Sequence, residues 1–205
     1  VGSEMCIRDR GRNVKTDKFQ YTCQKNEILI SLWRLQMNFT IESISDVTRE
    51  EFYKLALEYL PYSDYEIVKK REAEYRQAYM VALLEKKVIG VVFGWPRNLD
   101  APEDESFVID GICIQEPFQK HGYGSLLLQA MEHACLLYGC PSISLGSAGG
   151  YVEHYYIKNG YEPICYKVYR EQGIAVEKEY TSIEDYEKYQ RKNEDGFVVM
   201  TKRIL

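Results

Sequence analysis

At 205 residues and 24.0 kDa the chain is the size of one domain with appendages, long enough to bury a core without disulfide or metal staples. Its 45% hydrophobic and 28% charged residues are an ordinary globular balance, and its apolar runs, 28–33 and 88–93 among them, fall far short of the roughly 18 residues of a membrane span. With 26 basic against 31 acidic side chains the net charge is −5, the wrong sign for a surface that follows nucleic acid, so neither a membrane nor a nucleic-acid partner is expected.

The first 36 residues carry seven Lys/Arg and four Asp/Glu, whereas the remainder has a balance of −8. No long apolar stretch with a small-residue cleavage site follows this basic start, so it does not read as a targeting peptide. The opening string VGSEMCIRDR resembles translated adapter sequence. We therefore expect residues 1–36 to be non-native or disordered and a single domain to span 37–205.

From Phe39 the chain alternates like an edge strand through residue 44. A helix follows, with Asp46 or Thr48 as N-cap, Glu50 and Glu51 in its first turn, and Phe52, Leu55, Ala56, Tyr59 and Leu60 at helical spacing. Pro61 ends it, and a second helix is predicted over about 63–75. Two β-rich runs come next, at 78–84 and 88–95, joined by Glu85-Lys86-Lys87. The second is continuously apolar, as a strand covered on both faces should be. An acidic loop over 98–106 leads to a further strand at 107–114. An amphipathic helix begins just past Ser125 and places Leu127, Ala130, Met131, Ala134 and Tyr138 on one face, and Gly139 stops it. A strand at 142–147, a helix at 151–158 capped by Gly160, and a strand at 161–169 come before a polar insert at 171–195. The last strand is predicted at 197–204. This order describes an α/β domain with a mixed sheet.

Six cysteines, at 6, 23, 113, 135, 140 and 165, form no C-x-x-C pair, and such spacing is not that of a disulfide scaffold. The compartment this predicts is the reducing cytoplasm. The three histidines lack H-x-x-x-H spacing, so no metal is expected.

The segment Gln119-Lys120-His121-Gly122-Tyr123-Gly124-Ser125 joins a strand to the amphipathic helix. A helix N-terminus presents N–H groups without intrahelical acceptors at the positive end of the dipole, and so suits an anion. Glycines at 122 and 124 allow positive φ and close approach of a phosphate. The loop is not a Walker A motif, having no closing Lys-Ser/Thr, nor G-x-G-x-x-G, since Leu127 stands at the third glycine's place. From these residues alone, phosphate binding and an ordinary glycine turn both remain open. Lys120 and His121 would touch a bound phosphate or extend into solvent.

Gln119-x-x-Gly122-x-Gly124 resembles the Q/R-x-x-G-x-G/A loop of the GNAT superfamily, the acyl-CoA-dependent N-acyltransferases. The strand at 107–114 resembles that family's fourth strand, and Tyr155-Tyr156-Ile157-Lys158-Asn159-Gly160-Tyr161 resembles its L-Y-E-K-L-G-F signature. The likeness spans about 39–170 plus the final strand. It implies a GNAT-like α/β (α+β) fold: a mixed central sheet of about seven strands, the fourth and fifth splayed apart, with helices on both faces. It further implies acetyl-CoA as co-substrate, with its pyrophosphate on the amides of Gln119, Lys120, His121, Gly122, Tyr123, Gly124 and Ser125. Ile112, Cys113 and Ile114 would run beside the pantetheine arm, and Tyr156 falls where the family's general acid stands. Many members carry an asparagine seven residues before that tyrosine, where this chain has Gly149. Dimers are common among such enzymes.

The implied reaction needs a neutral amine, an oxyanion donor and a proton for the departing thiolate. Asp110 interrupts an otherwise apolar strand and is the candidate base, with Glu153 a weaker choice. A solvent-facing carboxylate is the alternative for Asp110, as core packing is for Tyr155 and Tyr156. The reading that follows is transfer of an acetyl group to a primary amine of a small molecule or peptide, by direct attack in a ternary complex. A catalytically silent acyl-CoA-binding module on the same fold is the alternative. Residues 171–195 hold eight acidic and four basic side chains. Together with Asp100, Glu103, Asp104 and Glu105 they predict a cationic amine as acceptor.

Overall fold

A computed structural model describes residues 38–61, 63–97, 106–147, 149, 151–191 and 195–205. The expectation for 1–36 and most of the acidic loop at 98–106 lie outside these residues. The elements in chain order are β1 (Phe39–Ser43), α1 (Arg49–Tyr59), α2 (Tyr65–Glu74), a 3-10 turn (Arg76–Ala78), β2 (Tyr79–Leu84), β3 (Lys87–Pro96) and β4 (Ser106–Ile114). A second 3-10 turn (Glu116–Phe118) leads into α3 (Tyr123–Leu137). Then come β5 (Ser142–Ser147), α4 (Tyr151–Lys158), β6 (Glu162–Arg170), β7 (Gly173–Glu179), α5 (Ile183–Lys188) and β8 (Gly196–Arg203). No helix among the described residues is long and apolar enough to cross a membrane.

All eight strands form one sheet in the order β1-β2-β3-β4-β5-β8-β6-β7. Every neighbouring pair is antiparallel except β4–β5, which is parallel. β3 sits deep in the sheet and is buried along nearly its whole length, which explains its unbroken apolar run. Phe93 meets Phe52 of α1, with ring centroids 5.7 Å apart. Gly90, an odd number of positions away, has Leu127 of α3 where its side chain would be. Alternate residues of a strand face opposite sides, so α1 and α3 cover opposite faces. On α1 the buried stripe is Phe52, Leu55 and Ala56, as the periodicity predicts; on α3 Leu127, Met131 and Ala134 are buried as expected, with Leu128 and Cys135 beside them, while Ala130 and Tyr138 are only half-buried.

The sheet has eight strands because the polar insert supplies one. β7 hairpins onto β6 as the outermost strand, and most of its side chains lie in solvent. An edge strand with no buried face needs no hydrophobic alternation, so its pattern is weak. Later in the insert lies α5, capped by Ser182, whose hydroxyl accepts from the Asp185 N–H at 3.1 Å. At α1 the N-cap is one of the two residues expected there. Thr48 holds the N-cap position, but its hydroxyl turns back to accept from the Ser45 N–H at 3.0 Å. The Asp46 carboxylate pairs with Arg49 and Arg76 instead.

Candidate active site

The parallel ladder between β4 and β5 is short. It joins residues 106–109 to 142–145 and stops at Ile109 and Leu145, although β4 continues to Ile114 and β5 to Ser147. Beyond that point the two strands part. The first residue past the break is Asp110. It is also the extra residue of a β-bulge: Phe93 pairs with Gly111 and Gly94 with Ile109, leaving Asp110 without a partner position on β3. A bulge re-aims side chains and backbone next to it. Here it turns Asp110 into a cavity of about 200 Å³ that it shares with Val108 and with Ser144, Leu145 and Gly146 of β5. Burial pushes the Asp110 carboxyl up to about 6, against a hydrogen bond from Ser63 that holds it down. A carboxylate with that affinity is half-ionised near pH 6, mostly ionised at neutral pH, and poised to take a proton.

Ile112, Cys113 and Ile114 continue β4 beside the gap. All three are buried and paired with β3, opposite Val92, Val91 and Gly90. The chain then turns through the glycine loop. Lys120 has φ +65° and Gly122 φ +82°, and Gly122 is the N-cap of α3 in the left-handed conformation. The Gln119 side chain donates to the Ile114 carbonyl at 2.9 Å, tying the loop to the end of β4. The exposed His121 ring stands 2.7 Å from the Gln119 carbonyl. Tyr123 is buried and stacks on Phe39 of β1 at 4.8 Å, so its ring anchors the helix start and only its amide is left for a ligand. Gly124 is small for a steric reason: a Cβ there would stand 2.8 Å from the Tyr155 hydroxyl. That hydroxyl also lies 3.5 Å from the Ser125 hydroxyl.

Of the two adjacent tyrosines on α4, Tyr155 is therefore the one whose hydroxyl reaches the glycine loop. Tyr156 is 1% exposed, its ring packed between those of Tyr155 and Tyr161 at 5.5 and 5.8 Å, and burial pushes its hydroxyl far above the ordinary tyrosine range. Tyr156 does not line the Asp110 cavity. Glu153 is buried and held by Arg191 and by the Tyr186 hydroxyl, so it braces α5 against α4. Arg191 Nη1 stands 2.9 Å from where a Cβ of Gly149 would be. The notch left by this glycine is filled by the guanidinium of a residue far along the chain.

Charge around the cavity is mixed, and the acids of 98–105 that entered the expectation lie outside the described residues. Among the described residues its charged lining is Asp110 with Arg97 and Lys167. Carboxylates of the insert are engaged locally: Glu177 with Arg170 at 2.9 Å, Asp185 with Lys178 at 2.9 Å, and Glu184 with Lys188 at 2.6 Å. Composition counts these acids but not their partners. Arg97 and Lys167 carry no motif and lie far apart in sequence. The only hint was a lysine interrupting the apolar alternation of β6.

A profile of the acetyltransferase (GNAT) family matches residues 41–161. Comparison with curated protein sequences returned no match. Among solved structures, Ard1 from Thermoplasma volcanium superposes with a TM-score of 0.60 at 18% identity, covering 82% of this chain and 98% of its own. A GNAT family acetyltransferase from Elizabethkingia anophelis with acetyl-CoA bound gives 0.55 at 18% identity, over 81% and 98%. Arabidopsis thaliana Naa50, in complex with the bisubstrate analogue CoA-Ac-MVNAL, gives 0.55 at 17%, over 80% and 97%. At such identities the structures speak for the fold, and the profile speaks for membership: with its match over more than half the chain, this protein belongs to the GNAT acetyltransferase family.

Proposed function

We propose that the protein transfers an acetyl group from acetyl-CoA to a primary amine, by direct attack of the amine on the thioester. The observation that carries the reading is the parting of β4 and β5 at Ile109 and Leu145, with Asp110 bulged into the opening. The glycine-capped start of α3 follows the same strand. Two solved relatives of the fold, one with acetyl-CoA and one with a CoA-peptide analogue, support the choice of co-substrate.

In this reading the amides of 119–125 take the pyrophosphate, aided by the helix dipole, and Lys120 and His121 add side chains at its rim. The pantetheine arm runs along the edge of Ile112, Cys113 and Ile114 that faces away from β3. Asp110 removes a proton from the incoming ammonium, directly or through one water, leaving a neutral amine to attack the carbonyl carbon. A β4 amide N–H at the bulge receives the oxyanion. Collapse of the tetrahedral intermediate breaks the C–S bond and releases the CoA thiolate, while the remaining extra proton on the former amine nitrogen passes to water. Tyr156, at the family's position, donates a hydrogen bond to that thiolate once the bound cofactor reaches its hydroxyl, which is buried in the protein alone. Its burial keeps the hydroxyl protonated, which suits stabilisation of the anion better than full proton transfer. Tyr155 borders the loop and contacts the cofactor.

Calorimetric titration of acetyl-CoA into the full chain, with ATP as control, followed by thiol release in the presence of amines, tests this. Saturable acetyl-CoA binding with turnover is expected. Binding without turnover of any amine would favour the silent acyl-CoA-binding module, and no binding would return the glycine loop to an ordinary turn.

A further inference from the structure

The cavity at the strand break is where an acceptor must bring its amine if the acetyl-transfer reading holds, so its walls describe the acceptor. They are of two kinds. Val108, Leu145, Ile174, Phe197 and Val199 are apolar, while among the described residues the charges are one carboxylate, Asp110 on β4, and two cations, Arg97 just past β3 and Lys167 on β6. Both cations also draw down the Cys165 thiol, which burial raises, so they act on the same end of β6. Glu179, opposite Cys165 in β7, pushes that thiol up but does not line the cavity.

We infer that the acceptor is an amine carrying its own carboxylate, an amino acid or an acidic amino-terminal residue, with the carboxylate held by Lys167 and Arg97 and the amine delivered to Asp110. The inference rests on the proposed acetyl transfer. A lysine and an arginine lining one cavity attract a carboxylate and repel the second ammonium of a polyamine. Asp110, the one acid of the lining among the described residues, suits one ammonium. At about 200 Å³ the cavity holds roughly seven water volumes, well below the 300–1,000 Å³ of drug-sized pockets. That is room for one short carbon chain between its two charged ends, against the apolar walls.

The test is thiol release by the full chain with acetyl-CoA and matched acceptors: the common amino acids and short ω-amino acids, each against its carboxamide, with spermidine as the cationic control. Dipeptides with an acidic amino-terminal residue form a further arm, which separates a free amino acid from a peptide end. At least one carboxylate acceptor is expected to exceed its carboxamide by tenfold or more in kcat/KM. Lys167→Gln should bring that ratio toward one, mainly through KM, and Lys167→Glu should move preference toward spermidine. Arg97→Gln, at an exposed position, repeats the ratio test should a Lys167 variant melt early. A ratio of one in the wild-type protein, a preference for spermidine, or a ratio that neither substitution moves would overturn the inference while leaving acetyl transfer intact. Absence of turnover with every amine would instead bring down the transfer reading and this inference with it.

Discussion

Beneath α1 and α3 the strands β2, β3 and β4 bury Val81, Ile89, Val91, Val92 and Phe93 completely. Where a polar group intrudes there it is matched: the Tyr79 hydroxyl donates to the Val68 carbonyl at 2.8 Å. Around α4, β6 and α5 the interior is filled differently. Tyr180 stands edge-on to Tyr186 at 5.4 Å and Tyr189 at 6.0 Å, Arg191 lies over the Tyr166 ring, and the Glu153–Arg191 ion pair sits among them. Glu153 Oε1 and the hydroxyls of Ser147 and Tyr180 are buried with no hydrogen-bond partner among the described residues. One half is held by apolar burial, which is forgiving of pH. The other is held by charge and hydroxyl contacts, whose strength depends on protonation. The strand break and Asp110 lie at the seam between them.

The largest effect is expected at that seam. Asp110→Asn should lower kcat/KM by about 10²–10⁴-fold, the usual worth of a positioned base. In the wild-type protein kcat/KM should rise with pH through about 6, as the carboxyl ionises. Stability should move the other way. Because burial raises the carboxyl's affinity for its proton, the folded protein binds that proton more tightly than the unfolded chain. The contribution of this group is thus most favourable below about pH 4 and declines as pH climbs to 6. Asp110→Asn should therefore melt no lower than wild type at pH 8. A variant that loses activity and also melts early would assign Asp110 a structural role.

How much of this was legible in the sequence follows the same division. The two-faced burial of β3, the apolar stripe of α3 and the glycines of 119–125 are local patterns, and local patterns survive being read one residue after another. Asp110 could be singled out as a charge in an apolar run, but the bulge that turns it could not, since it depends on which β3 residue pairs with which. The 155–156 pair shows the limit most clearly. Adjacent helical residues point about 100° apart, so the docking of α4, not the motif, decides which hydroxyl meets Gly124. β7 and the cationic lining of the cavity were hidden because the contacts that define them join distant segments.

Two substitutions of similar size separate the halves by their pH dependence. Phe93→Ala should cost about 3–5 kcal/mol in chemical denaturation, with little change between pH 5 and pH 8. Arg191→Met leaves Glu153 as an uncompensated buried carboxylate and should cost about 3 kcal/mol at pH 8. Burial already raises the affinity of Glu153 for its proton, and without the guanidinium it takes one up as the pH falls. The destabilisation should therefore shrink toward pH 5. An Arg191→Met cost as flat with pH as that of Phe93→Ala would mean the ion pair matters for its packing alone.

The smallest expected effect is the one that best isolates the glycine loop. Gly122 and Gly139 bracket α3, one as its N-cap and one just past its end, and both hold positive φ, +82° and +72°. An alanine in the left-handed region costs about 1–2 kcal/mol at either place. A Cβ on Gly139 would meet nothing within 4 Å, so Gly139→Ala carries the backbone cost alone. Gly122→Ala should cost the same stability and, in addition, raise the Kd for acetyl-CoA about tenfold, because re-aiming the first amides of α3 disturbs the nest for the pyrophosphate. If the two variants lose equal stability and equal affinity, the loss reflects the helix as a whole. If affinity falls only for Gly122→Ala, the amides at the start of α3 hold the phosphate, and the two ends of one helix are divided between ligand binding and folding.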